Sequence, residues 1–243
     1  MPIFDCDNHI YEPADAVTRY LPEEHLKHAI TPVTLANGEQ GLLAGGRLVT
    51  GLDHPIDKAH RPGALKEMLR QMKSGKPTES YALEDLRPEY LDRDARLALM
   101  DEQRVDAALL YPATMGTMAE HYVRGIDPLY ANLHAYNTFL DETWGFARDG
   151  RIYTPAVLSL RDLDRAVAEL EHVLARGARF VMLQAGPAYG RSPGDPYFDP
   201  FWARVNEAKA SVAFHIGEYW YNEHVAPAWG LNPEPVFFEM SAW

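Results

Sequence analysis

The sequence predicts an α/β fold in which βα units build a parallel sheet, and three features of the chain indicate it. Short apolar segments that end at turn residues alternate with longer segments whose apolar residues recur at helical spacing. They follow one another at intervals of about 25 to 45 residues, which is typical of βα units rather than of hairpins. A length of 243 residues is also sufficient for one large α/β domain.

The predicted strands are apolar through most of their length, as expected for strands that helices cover on both faces. Most end at a turn signal, such as Pro112 after the second strand or Gly186 after the fourth. The five predicted strands are residues 2–9, 105–111, 151–157, 179–184 and 211–216.

The clearest predicted helix, residues 162–176, places Leu163, Ala166 and Leu170 on one face, and Gly177 follows at the position of a C-cap. A longer helix is predicted over residues 127–149, with Pro128 in its first turn and Gly150 beyond its end. Shorter helices are predicted over residues 92–103 and 199–209.

Residues 31–90 interrupt this rhythm and are rich in proline and glycine. Two short apolar runs flank Gly45 and Gly46, which predicts a small β-hairpin with a tight turn. We therefore expect an insertion after the first strand that caps one end of the sheet.

Composition excludes several functional classes. The chain carries 23 basic and 35 acidic residues, a formal charge of −12, whereas a nucleic-acid binder needs a basic face. A single cysteine, Cys6, rules out a disulfide framework, and we expect it to be a small core residue. The sequence shows neither a membrane-spanning apolar stretch nor a signal peptide, so we expect a cytoplasmic protein.

Two strands end in side chains that suit a divalent metal. Asp7 and His9 lie two residues apart, so they share a face at the carboxyl end of the first strand, and His215 lies near the same end of the fifth. The alternatives are a capping aspartate, a surface histidine, and a core histidine satisfied by a polar neighbour. Because both strands present such residues at one end, the metal is favoured.

These residues give the chain a resemblance to a known family. With Asp7-Asn8-His9 on strand one and Phe214-His215-Ile216-Gly217 on strand five, it resembles the amidohydrolase superfamily, in the branch typified by aminocarboxymuconate semialdehyde decarboxylase. The resemblance spans essentially the whole chain. It implies a metal-dependent (β/α)8 TIM barrel in which the strand-one pair, the strand-five histidine and a strand-eight aspartate hold one ion. A strand-six histidine assists catalysis in that family.

The sequence departs from the family pattern twice. Asp7 stands where the commonest form has histidine, which favours manganese relative to zinc. Strands one to five also use the whole length, so residues 1–243 are expected to be the N-terminal part of a single barrel domain. The catalytic base and the last metal ligand would then lie beyond Trp243.

Further candidates lie mainly at the same end of the predicted sheet. Glu218 follows strand five and could contact the substrate or support a metal ligand, and Gln184 ends strand four facing the site. We expect Glu12 to be a solvated loop acid rather than a partner of His9. The remaining candidates are His224 and the aromatic run Tyr219-Trp220-Tyr221 in the strand-five loop, and Arg47, His54, His60 and Arg61 in the insertion.

The sequence therefore predicts a metal-dependent hydrolase or decarboxylase that acts on a small aromatic or unsaturated carboxylic acid, with one Zn or Mn ion and a homodimeric state. One alternative is a metal-free enzyme that uses carboxylates such as Asp7 and Glu218 as acid and base. The other is a non-catalytic barrel used for binding.

Overall fold

The computed structural model describes residues 1–50, 52, 55–74 and 83–215. Most strands are short, and β2 to β6 lie within the insertion predicted after the first strand. In chain order the strands are β1 (Phe4–Ile10), β2 (Ile30–Thr34), β3 (Gln40–Ala44), β4 (Arg47–Leu48), β5 (Lys58–His60), β6 (Leu83–Asp85), β7 (Ala107–Pro112), β8 (Ile152–Tyr153), β9 (Ala156–Val157), β10 (Phe180–Leu183) and β11 (Ser211–Phe214).

Helices occupy the segments between the later strands, as βα units require. They are α1 (Ala64–Lys73), α2 (Pro88–Leu91), α3 (Arg93–Gln103), α4 (Met115–Tyr122), α5 (Ile126–Phe139), α6 (Leu163–Ala175) and α7 (Asp199–Ala208). Short 3-10 helices cover Glu23–His28 and Pro196–Phe198.

The five predicted strand segments are confirmed and form one parallel series. β1 pairs with β7 and β7 with β8, while β9 pairs with β10 and β10 with β11, all in parallel. β8 and β9 are consecutive in one segment of the chain. β8 pairs with β7 and β9 pairs with β10, so this segment links the two groups of strands. Within the described ranges no pairing joins β11 back to β1, so the series is open.

The third predicted strand, residues 151–157, is interrupted in the structure. The Thr154 backbone N–H donates to the Phe146 carbonyl at 3.2 Å, and the Thr154 hydroxyl donates to the Gly145 carbonyl at 3.2 Å. Pro155 follows and has no N–H to donate to a neighbouring strand. These two residues therefore separate β8 from β9.

The insertion contains small antiparallel sheets. β2, β3 and β4 form one sheet and β5 pairs with β6 in another. Gly45 and Gly46 connect β3 to β4 with φ values of 58° and 74°, the left-handed conformation of a two-residue type I′ hairpin. The predicted hairpin is confirmed, and its role as a cap stays a prediction.

The helices α3, α6 and α7 agree with the predicted ranges to within about two residues, and the aspartates Asp92 and Asp162 cap α3 and α6. The long helix predicted over residues 127–149 is wrong at its end. α5 stops at Phe139, a π-helical turn covers Leu140–Trp144, and Gly145 with φ 76° ends it. The turn lets Trp144 become fully buried in the core.

The core lies between the parallel strands and the helices that cover them. Its largest fully buried side chains include Tyr136, Phe139 and Trp144, which come from α5 and the turn that follows it. α5 therefore supplies much of the core, and it packs against β9. No described helix has the length and apolar character needed to cross a membrane.

Candidate metal centre

A β-bulge shapes the strand that carries the first two candidate ligands. In the pairing of β1 with β7 the register shifts between Asp5 and Asn8, which adds one residue to β1 in this interval. The Asn8 side chain donates to the Asp5 carboxylate at 2.8 Å and accepts the His9 backbone N–H at 2.8 Å. Local hydrogen bonds thus fix the backbone between Asp7 and His9.

Arg96 of α3 anchors the carboxyl end of β1 by hydrogen bonds. Its guanidinium donates to the Asn8 side-chain oxygen at 2.8 Å, to the His9 carbonyl at 2.9 Å and to the Glu89 carbonyl at 2.7 Å. The residue is buried, and burial lowers the pKa of this guanidinium. Sequence reasoning missed Arg96, whose partners on β1 are distant along the chain.

The structure brings Asp7, His9 and His215 together. One ligand atom of each lies within 4.8 Å of the others, and the Asp7 Oδ1 atom lies 3.4 Å from His215 Nε2. The His9 and His215 rings meet nearly edge to face, with centroids 4.9 Å apart. The Tyr111 ring lies 4.5 Å from the His215 ring. The juxtaposition expected from the sequence is present, and metal binding by these residues stays a prediction.

The surroundings keep His9 neutral. Burial and, next, the charge of His215 lower its pKa from 6.5 to about 4, although Asp7 acts in the opposite direction. A neutral imidazole is the form that binds a metal. Asp7, by contrast, is exposed, with 76% of its side chain accessible.

The donor set fits one divalent ion. Zinc binds imidazole nitrogen and carboxylate oxygen at about 2.0–2.2 Å, so two tetrahedral ligands lie about 3.4 Å apart and no two exceed about 4.4 Å. The Asp7–His215 distance of 3.4 Å meets the first value. The ligand atoms of the three residues lie within 4.8 Å of one another, slightly more than the maximum of about 4.4 Å, and a small side-chain rotation would bring them within it.

Glu12 is placed differently from the expectation, and the solvated position predicted for it is wrong. The residue is buried, and its carboxylate accepts the Thr114 backbone N–H at 3.1 Å and the Tyr136 hydroxyl at 2.8 Å. Burial raises the pKa of this carboxyl. Glu12 therefore fastens the loop after β1 to the start of α4 and to α5.

Two neighbouring cavities lie near the candidate ligands, and two of these residues line one of them. The smaller, about 40 Å³, is lined by His9 and His215, and the larger has a volume of about 410 Å³. Gln184, predicted to face the site, lines both. Glu120 of α4 also lines both, and sequence reasoning missed it because α4 itself was not predicted.

The other candidates contribute little to the described site. Arg47 and Arg61 are exposed in the insertion, and neither they nor His60 line the two cavities. Cys6 is exposed, so its prediction as a core residue is wrong. The remaining candidates, His54, Glu218, Tyr219-Trp220-Tyr221 and His224, lie outside the described residues.

Comparison with known proteins decides the family. The family described as amidohydrolase matches residues 4–241, which is almost the entire chain. The chain belongs to the amidohydrolase family. The resemblance inferred from Asp7, His9 and His215 is therefore confirmed at the level of the family. Amidohydrolases are enzymes. The family also implies a TIM barrel. The described strands β1, β7, β8, β9, β10 and β11 pair in parallel, and no pairing among the described residues closes them into a barrel.

Two solved structures illustrate the relationship. An amidohydrolase from Mycobacterium avium subsp. paratuberculosis K-10 is 35% identical with a TM-score of 0.79, and the match covers 95% of this chain. The chain spans 62% of the length of that protein. A 5-carboxyvanillate decarboxylase from Novosphingobium aromaticivorans DSM 12444, in complex with manganese and 4-hydroxy-3-methoxy-5-nitrobenzoic acid, is 16% identical with a TM-score of 0.42. That match covers 63% of this chain and 47% of the decarboxylase, and no curated protein matches the chain.

Proposed function

We propose that this amidohydrolase-family protein is a metal-dependent enzyme and that Asp7, His9 and His215 bind its divalent ion. The observation that carries the proposal is the convergence of these three side chains, from the first and last described parallel strands, within 4.8 Å. Asp7 is exposed and its ion pair with His215 contributes little to folding, whereas a shared cation would use all three side chains.

When bound, the ion would supply Lewis acidity, either to activate a water molecule for hydrolysis or to bind a substrate carboxylate during decarboxylation. We favour decarboxylation, because the carboxylate of Asp7 makes the ligand set richer in oxygen. For the same reason we favour manganese over zinc.

The chain's own residues prepare this site. Arg96 and Asn8 hold the β1 backbone that carries Asp7 and His9, so the ligands need little reorganisation before binding. His9 is already neutral. Gln184, at the end of β10, lines the small cavity beside both histidines, where its side-chain amide can hydrogen-bond a carboxylate oxygen.

The proposed substrate is a small aromatic or unsaturated carboxylic acid. The small cavity has apolar walls, formed among others by Leu133, Val157 and Met182, and it shares lining residues with a larger, mainly apolar cavity of about 410 Å³. Together they suit an acid with a hydrocarbon body better than a sugar or a nucleotide. A homodimeric state and a cytoplasmic location stay predictions.

Metal analysis tests the proposal. We expect wild-type protein, purified without chelator, to contain about one Mn or Zn ion per chain by elemental analysis, and His215→Ala to lose at least about tenfold in metal affinity. His172→Ala, which removes a histidine of α6 outside the cluster, is the matched control and should retain the metal. Wild-type protein without stoichiometric metal would favour the metal-free alternative, and undiminished affinity in His215→Ala would place the ion elsewhere.

A further inference from the structure

The two cavities beside the candidate ligands share a wall. Glu120, Leu183 and Gln184 line both the small cavity that contains His9 and His215 and the large one of about 410 Å³. The smaller volume, about 40 Å³, is far below the roughly 150 Å³ of a cavity that binds a benzene ring. A ligand whose reacting group reaches the histidines therefore needs the large cavity for the rest of its atoms.

The large cavity is suited to an apolar group. Its volume falls in the range of about 300–1,000 Å³ that is usual for small-molecule sites. Most of the lining side chains are apolar, and the polar ones are Glu120 and Gln184 in the wall shared with the small cavity and His121 and Tyr189 outside it. The apolar residues of the lining include Leu160, Leu183, Pro187, Ala188, Pro193 and Phe214.

Glu120 is the acidic group of the shared wall, and neighbouring loops hold it in place. Its carboxylate accepts the Ser159 hydroxyl at 3.0 Å and interacts with the Tyr189 hydroxyl. The Tyr130 hydroxyl in turn donates to the Ser159 carbonyl at 2.8 Å, and Arg161 lies 4.8 Å above the Tyr189 ring. Glu120 is thus fixed between loops that follow β9 and β10.

The protonation of Glu120 suits contact with an acid. Burial raises the pKa of this carboxyl to about 7, against the opposing effects of Ser159, Tyr189 and Arg161. A large fraction of the carboxyl is therefore protonated near neutral pH and can donate a hydrogen bond to a carboxylate or carbonyl oxygen. An ionised glutamate at this position would instead repel an anionic ligand.

We propose that the large cavity binds the apolar, non-reacting part of the substrate and that Glu120 hydrogen-bonds a substrate oxygen where the two cavities meet. This inference deepens the proposed function and rests on it. It specifies the substrate class as an acid whose ring system exceeds the small cavity, with its reacting end toward His9 and His215. Acids without such an apolar group, such as acetate, would bind weakly.

The probe for this compartment is 2-naphthoate, with acetate as the small reference acid, titrated calorimetrically into the full chain. Ala188→Phe fills the cavity and should weaken 2-naphthoate binding at least about tenfold, because a buried ring cannot share its space. Glu120→Leu should weaken binding about five- to tenfold through the lost hydrogen bond, while Glu120→Gln, which keeps a donor, should stay within about twofold. Ala36→Phe, on the exposed turn between β2 and β3, is the matched control and should bind as wild type does.

Two results would overturn the inference. One is failure of wild-type protein to bind 2-naphthoate more tightly than acetate at concentrations up to about 1 mM. The other is unchanged 2-naphthoate affinity in both Ala188→Phe and Glu120→Leu, with folding of each variant verified by circular dichroism. If only Ala188→Phe fails to fold, Glu120→Leu decides.

Metal content separates this inference from the proposed function. Neither Ala188 nor Glu120 belongs to the candidate ligand set, so both variants should contain as much metal as wild type. Lost 2-naphthoate binding with unchanged metal content supports the compartment. If no protein contains metal, wild type included, the proposed function is contradicted. The inference about the cavity is still tested in that case, because 2-naphthoate affinity in Ala188→Phe and Glu120→Leu is measured without reference to metal content.

Discussion

Two carboxylates at the end of the first strand have opposite environments. Glu12 is buried, and its carboxylate accepts hydrogen bonds from Thr114 at the start of α4 and from Tyr136 of α5. Asp7 is exposed, and its carboxylate lies beside a histidine at 3.4 Å. The first carboxylate ties structural elements together, while the second leaves its oxygen atoms accessible to a ligand. Burial together with satisfied hydrogen bonds thus distinguishes a structural acid from a candidate ligand at two positions five residues apart.

The largest expected effect is on the structural carboxylate. Glu12→Ala would leave the Thr114 N–H and the Tyr136 hydroxyl without their acceptor, so we expect the free energy of unfolding in urea to fall by about 3 kcal/mol. Glu102→Ala, which removes an exposed glutamate of α3, is the control and should change it by less than about 0.5 kcal/mol. Equal stability of the two variants would show that Glu12 does not anchor the loop.

Sequence reasoning located the candidate metal ligands and missed the residues that hold the surrounding fold. Asp7, His9 and His215 were accessible to it because strand alternation and strand order place them at one end of a sheet. The partners of Glu12 lie 102 and 124 residues away along the chain, and no local pattern reports such a contact. Its burial is a property of the packed fold.

The same limit explains the other errors. Arg96 meets Asn8 across 88 residues of chain. Glu120 was missed because α4 has only eight residues. Its apolar residues Met115, Met118 and Ala119 do recur at helical spacing, but two turns are too short a run for that pattern to predict a helix. The end of α5 was overestimated because a π-helical turn keeps helical spacing for several residues before Gly145 stops it. Chain order and periodicity therefore predict the strand series, whereas long-range polar contacts require the structure.

A smaller effect, on the pH dependence of stability, is expected at Glu120, whose exposure lies between that of Glu12 and that of Asp7. Its pKa of about 7 in the folded protein exceeds the ordinary value of 4.5, so the folded state binds more protons than the unfolded state between these pH values. Its contribution to stability is therefore largest below pH 4.5 and is lost as pH rises to about 7.

Glu120→Gln removes this titration. Relative to wild type, the variant should gain about 2 kcal/mol of stability between pH 4.5 and pH 7 in urea unfolding experiments. Glu102→Gln, which makes the same exchange at an exposed glutamate of α3, is the matched control and should show no such gain. A pH-independent difference between Glu120→Gln and wild type would mean that Glu120 is as well solvated as Asp7.

The smallest effect on folding is expected at Asp7 itself. In metal-free protein, Asp7→Asn should change the free energy of unfolding by no more than about 0.5 kcal/mol, because its carboxylate is exposed and a surface ion pair contributes little. Excess MnCl2 should raise the thermal midpoint of wild type and leave that of Asp7→Asn unchanged, since a ligand stabilises only the folded state that binds it. A loss as large as that of Glu12→Ala would make Asp7 a structural residue. A preserved manganese response would remove it from the ligand set and leave His9 and His215 to be tested without it.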